Sequence, residues 1–182
     1  MAKYPDVTAG QTEACINRFG GWDNFLRFIG GQGRVVFDSI LEFVRTLIIP
    51  AQPELTTSEK FFEDAGVKWM SETAKSVLLN RKVEACGETE LRVSRLLENS
   101  IDEPILDELG DKAEISPTQL AAFLDRNRES SEWFIFYVLD EEGTLWAVRA
   151  YWFAESGGWR LSADSVTSLD GWFAGSQVVS RN

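Results

Sequence analysis

The chain has 182 residues and a mass of 20.5 kDa, room for one domain or at most two small ones. Its 44% hydrophobic and 26% charged residues exclude a disordered, collagen-like or coiled-coil chain, and 18 basic against 29 acidic residues give a net charge of −11, the wrong sign for a phosphate-backbone binder. There is no histidine, which removes the commonest general base, the commonest metal ligand and every Ser-His or Cys-His nucleophile pair.

No apolar run follows the opening MAKYPDVTAG, and the densest apolar stretch, Val35 to Ile49, is broken by Asp38, Glu42 and Arg45. A membrane span needs about 20 residues with few or no charges, so a soluble cytoplasmic protein without membrane contact is the expectation. Cys15 and Cys86 form no CxxC unit. The absence of a secretion signal favours two free thiols, although the sequence leaves a Cys15–Cys86 bridge open.

In chain order, a first helix is expected from Thr8 through Phe19, stopped by Gly20 and Gly21. Trp22, Phe25, Leu26 and Ile29 stand at i, i+3, i+4 and i+7 and predict a second, ended by Gly30, Gly31 and Gly33. Val35 to Ile49 is read as helix on the stripe Val36, Ile40, Val44 and Leu47, with two short strands as the alternative; Pro50 and Pro53 break it. Thr56 and Glu59 have capping-box spacing ahead of Phe61 and Phe62, and Gly66 closes that helix. Lys68 to Asn80 is expected as another helix, and Glu88 to Leu97 as strand or helix. Asp102, Glu103 and Pro104 open a helix through Leu109, and Ser116-Pro117 caps one carrying Leu120, Ala121 and Leu124 inward.

Near residue 131 the composition changes, and half of the aromatic residues lie in 132–182. Trp133 to Leu139 reads as a strand covered on both faces, Asp140 to Gly143 as a hairpin loop, Thr144 to Phe153 and Trp159 to Asp164 as further strands, and Ser176 to Ser180 as a fourth with Val178 or Val179 inward. The fold class expected is one α+β domain over residues 1–182: a mainly helical part, 1–131, followed by a four-stranded antiparallel meander, 132–182, packed on helices.

The candidate chemistry is thin. Gly30-Gly31-Gln32-Gly33 lacks both phosphate-loop patterns and reads as a helix end. Asp140, Glu141 and Glu142 lack the alternating ligands of a calcium loop, and Cys86 has cationic neighbours in Arg81 and Lys82 but no activating histidine. Asp164 and Asp170, near Trp159 and Trp172, are the two carboxylates a glycoside hydrolase would need, though cap and turn roles explain them as well. The tryptophan set is the most informative feature. Most of those rings belong in a core, yet Tyr151, Trp152, Trp159 and Trp172 are the candidates for a face that holds a protein partner, a sugar or another small ligand.

Three segments, NRFGGWDNFLRFIGG (Asn17 to Gly31), ILDELGDKAEISPTQLAAFLDRN (Ile105 to Asn127) and EWFIFYVLDEEGTLWAVRAYWFAESGGWRLSADS with GWFAGSQVVSRN, together resemble a widespread group of uncharacterised bacterial proteins from candidate-phylum genomes. They span roughly half the chain, in the same order, and Ser116 stands where the group often has cysteine. The resemblance implies one unit with a helical middle and a C-terminal aromatic sheet, and no activity or site.

The expectation is therefore a non-enzymatic, acidic interaction protein without cofactor or metal, whose aromatic sheet meets a protein partner with a basic surface, not nucleic acid. The alternative is a small-ligand or carbohydrate-binding domain, with a hydrolase using Asp164 and Asp170 as its catalytic form.

Overall fold

The computed structural model describes Ile16, residues 21–29 and residues 39–182, and the chain divides into two units, residues 1–38 and 39–182. In the first unit, helix α1 (Trp22–Ile29) follows Gly21, whose φ of 107° is left-handed and whose carbonyl accepts the Phe25 N–H at 3.1 Å. Asp23 in the first turn suits the positive end of the helix. The expected helix from Thr8 to Phe19 and the connector Gly30 to Gly33 lie outside the described residues.

The second unit is built on a seven-stranded mixed sheet, which corrects the expected four-stranded meander on helices. Across the sheet the strands run β1 (Leu41–Ile49), β5 (Thr89–Leu96), β9 (Gln177–Arg181), β6 (Trp133–Leu139), β7 (Leu145–Phe153), β8 (Gly158–Ser165) and β3 (Val67–Met70). A separate pair joins β2 (Leu55–Thr56) and β4 (Lys82–Val83). The hairpins β6–β7 and β7–β8 are antiparallel as expected, but β9 does not extend them past β8. It inserts between β5 and β6, antiparallel to the first and parallel to the second. Val178 and Val179 are both buried, one on each face.

Two helical expectations turn into strands. Leu41–Ile49 pairs along its length with β5, and its β-branched Val44, Thr46, Ile48 and Ile49 suit that pleat; pairing overrides the helical stripe. A register shift between Phe43 and Arg45 marks a bulge in this edge strand. Glu88 to Leu97, open between strand and helix, is its strand partner β5. Lys68 to Asn80 splits: Val67–Met70 pairs parallel to β8, and helix α3 (Glu72–Leu78) starts only after Ser71, whose hydroxyl accepts the Ala74 N–H. Gly158 permits that pairing. A Cβ there would run into the Lys68 side chain and come within 2.8 Å of the Gly66 carbonyl oxygen.

Helix α2 (Glu59–Asp64) is capped by Ser58, not by the expected Thr56, because Thr56 is already in β2 and Thr57 is buried, donating its hydroxyl to the Leu78 carbonyl at 2.7 Å. Helices α4 (Asp102–Leu109) and α5 (Pro117–Arg126) stand as the sequence predicts. Ser116 and Gln119 make a reciprocal capping box at the start of α5.

The main core lies between one sheet face and α2, α3 and α5, where Phe62, Leu78, Leu120 and Phe123 meet Phe134, Phe136, Trp159 and Leu161. On the opposite face a smaller core gathers Leu96, Ile105, Ile135, Tyr137, Trp172 and Val178 under α4. Among the described residues no helix is long and apolar enough to cross a membrane.

Candidate binding face

Among the described residues of the second unit, the second face of the sheet is covered only in part. Side chains alternate along each strand, so Trp133, Ile135 and Tyr137 of β6 share this face with Ala147, Arg149 and Tyr151 of β7. The α4 side of the face is closed, and the β7–β8–β3 side is open.

Register places a row across the open part. Trp133 is opposite Tyr151, Tyr151 opposite Arg160, and Arg160 opposite Trp69 on β3. At about 4.8 Å per strand this row is roughly 14 Å long. The Trp133 and Tyr151 rings stack, 4.8 Å apart and 12° from parallel. Arg160 lies 4.0 Å from the Phe153 ring centre and 5.8 Å from that of Trp69, and its Nε has no hydrogen-bond partner among the described residues. Arg149 sits between two indoles, 5.7 Å from Trp133 and 5.8 Å from Trp172. Its Nε donates to Ser162 Oγ at 3.2 Å, and its Nη2 is 3.8 Å from Asp164 Oδ2. Both cations are thus held by ring faces. Trp69 and Trp133 are about half exposed, and Trp133 also borders an apolar groove of 440 Å³ shared with Phe173, which is 75% exposed.

A crossover, residues 166–176, carries the chain from β8 over to β9 and lays Trp172 on this face. It is tied down by Ser100, which exchanges backbone hydrogen bonds with Trp172. The chains approach closely there, since a Cβ on Gly171 would lie 3.2 Å from the Ser100 carbonyl oxygen. Beneath Trp172 is a cleft of 210 Å³ lined by Asp102, Arg149, Asp164, Ser168, Asp170 and Trp172.

Asp102, the first residue of α4, is 1% exposed. Its Oδ1 accepts from Trp172 Nε1 at 2.7 Å and from Tyr137 Oη at 2.8 Å. Burial pushes its carboxyl above the usual value; the two hydrogen bonds oppose this, and the nearby Asp164 adds to it. Burial and the Asp102 carboxylate likewise raise the Tyr137 phenol, which stays a donor. Among the described residues no three or more metal-type side chains converge closely enough to hold a metal ion.

The residues singled out in the sequence separate here. Tyr151 is on the open face, half-buried in the row. Trp172 is 8% exposed and presents to the cleft while its indole N–H is committed to Asp102. Trp159 is fully buried on the opposite face, its Nε1 donating to the Leu124 carbonyl at 3.0 Å, so it offers a ligand no surface. Trp152 is half-buried on that same core side, edge-on to Trp159. Asp164 and Asp170 do line one cleft. Cys86, half-buried with a free thiol, lies in a bridge to Gln52. The sequence reading missed Trp69, Trp133, Arg149, Arg160 and Asp102; strand parity around Tyr151 was the signal that could have found Trp133 and Arg149. No family model, no curated protein and no solved structure matches the chain.

Proposed function

We propose that the protein is a non-enzymatic, acidic cytoplasmic interaction module that seats a protein partner with a basic surface on the open sheet face. One observation carries this reading: the row Trp133–Tyr151–Arg160–Trp69, with Arg149 clamped between two indoles. Trp, Tyr and Arg are the residue types that dominate protein interfaces when truncated. Arginines already held by ring faces lose less freedom on association, which leaves more of the contact energy for affinity. Around this centre stand Glu132, Asp164 and Asp170, and with a net charge of −11 they favour faster encounter with a basic partner.

The test is affinity capture from nuclease-treated lysate of the source organism, wild type beside a Trp69→Ala/Trp133→Ala double variant, at two salt concentrations. A stoichiometric basic protein captured by the wild type, weakened by salt and lost with the double variant is the expected result. A partner indifferent to both substitutions would overturn the assignment of this face.

A second reading, a small-ligand or carbohydrate-binding domain with Asp164 and Asp170 as a hydrolytic pair, is favoured by their shared cleft beside Trp172. Titrating tryptophan emission with a glycan panel decides it: a shift abolished by Asp164→Asn or Asp170→Asn supports that reading, and a flat response removes it.

A further inference from the structure

We infer that a cavity at the end of the main core binds a small α-amino acid of glycine or alanine size, as its zwitterion. The cavity, of 150 Å³, is lined by Arg45 of β1, Arg95 of β5, Ser130 and Glu132 of the segment after α5, Phe134 of β6 and Gln177 of β9. Gln177 is opposite Phe134, on the side of the sheet away from Trp133, so the inference stands apart from the partner face. The first support is Gln177. It is 4% exposed, and its Oε1 has no hydrogen-bond partner among the described residues. The amide is fixed in orientation, since Nε2 donates to Glu132 Oε2 at 3.2 Å and to the Gly175 carbonyl at 3.4 Å. Turned over, it would set oxygen against oxygen at both. A buried acceptor without a donor is rare in a folded protein, and this one calls for an N–H group.

Charge is the second support. Arg45 and Glu132 line the same cavity, and neither has an ion-pair partner among the described residues. Arg45 is held in place: its Nη2 donates to Asn127 Oδ1 at 2.6 Å, and Asn127 Nδ2 donates in turn to the Phe123 carbonyl at 2.7 Å. Arg95, opposite Gln177 in the β5–β9 register, adds a second cation 3.6 Å from Glu42. A simple anion would leave Glu132 and the Gln177 oxygen unanswered, and a simple cation would leave Arg45 unanswered. A zwitterion serves all three, its ammonium donating to Gln177 Oε1 and Glu132 while its carboxylate accepts from Arg45. The third support is size. The 150 Å³ volume holds about five waters at liquid density, which matches the five heavy atoms of glycine, and alanine adds one methyl group.

The experiment is calorimetric titration of the full chain at pH 7 with glycine and L-alanine, beside acetate, glycinamide and N-acetylglycine. The Gln177 side-chain amide signals in NMR spectra locate the binding. Glycine and L-alanine are expected to bind and to move those signals. Acetate, glycinamide and N-acetylglycine each lack one of the two charges and are expected to bind at least tenfold more weakly. Arg45→Gln and Glu132→Gln are each expected to weaken glycine binding at least tenfold, and Gln177→Leu to abolish it. Arg45 and Glu132 are exposed, so their variants keep the test decisive if Gln177→Leu fails to fold. Absence of binding by both amino acids, binding that leaves the Gln177 signals unmoved, or glycine affinity unchanged by Arg45→Gln and Glu132→Gln would overturn the inference. N-acetylglycine bound as tightly as glycine overturns the free amino acid in favour of a chain terminus, and acetate bound as tightly reduces the cavity to an anion site.

Discussion

The Asp102 network makes a quantitative prediction. In Asp102→Ala, Tyr137 Oη and Trp172 Nε1 lose their common acceptor while remaining buried. Each orphaned donor costs about 1–3 kcal/mol, so roughly 2–6 kcal/mol of stability should be lost, less whatever removal of a buried carboxylate returns. Asp102→Asn keeps an acceptor oxygen and drops the charge, so at neutral pH it should be close to the wild type or more stable. The pH dependence follows in sign. Burial raises the folded-state carboxyl above 3.8, so the fold holds this proton more tightly than the unfolded chain does. That contribution is fully present below 3.8 and is lost as pH rises through the raised value. The advantage of Asp102→Asn over the wild type should therefore grow as pH rises out of the acid range and then level off. Urea unfolding followed by tryptophan emission at a series of pH values measures it. If Asp102→Asn proves as damaging as Asp102→Ala at neutral pH, the shared-acceptor account is wrong.

Three further outcomes are expected. Gly158→Ala should detach or distort β3 and cost about 1–3 kcal/mol, with amide exchange accelerated at Val67 to Met70; unchanged exchange there would contradict the close approach to Gly66 and Lys68. Ser116→Ala removes the capping box of α5 and should cost about 1 kcal/mol by denaturant midpoint, rescued by Ser116→Asp. In the β6–β7 hairpin, Asp140 accepts from Trp146 Nε1 and from the Thr144 and Glu142 N–H groups, with Trp146 foremost in holding its carboxyl below the usual range. Its stabilising effect is present above 3.8 and is lost as pH falls through the depressed value, so the Trp146 indole N–H signal should keep its shift down to a pH below 3.8 and lose it at all pH values in Asp140→Ala.

What the sequence makes legible here is local. The helix Trp22–Ile29, the cap at Ser116 and the loop at Asp140 depend on residues within a few positions of one another, and periodicity and cap chemistry report them. Leu41–Ile49 and Val67–Met70 become strands only because β5 and β8 offer them edges, and no local propensity encodes a partner 40 or more residues away. The same holds for the binding face. Its row draws one residue from each of four strands, so Trp69 could be joined to Arg160 only once the parallel β3–β8 pairing was known. Trp159 illustrates the converse: its alternating strand reads as a surface candidate, but the Leu124 carbonyl and the helix above claim it. Asp164 and Asp170 line one cleft across the short stretch between them, but the separation of their carboxylates did not follow from the sequence.

The place of β9 has a consequence for biosynthesis. Gln177–Arg181 is the last of this sheet's strands in chain order, yet it joins the β1–β5 pair to the β6–β7–β8–β3 block. Until it emerges, β5 and β6 each present an unsatisfied edge, and the nascent chain holds two half-sheets with open hydrogen-bonding rims. Closure of this sheet is therefore expected to wait for β9, with chaperones shielding the two halves until then, and removal of Gln177–Arg181 should divide the sheet rather than trim it.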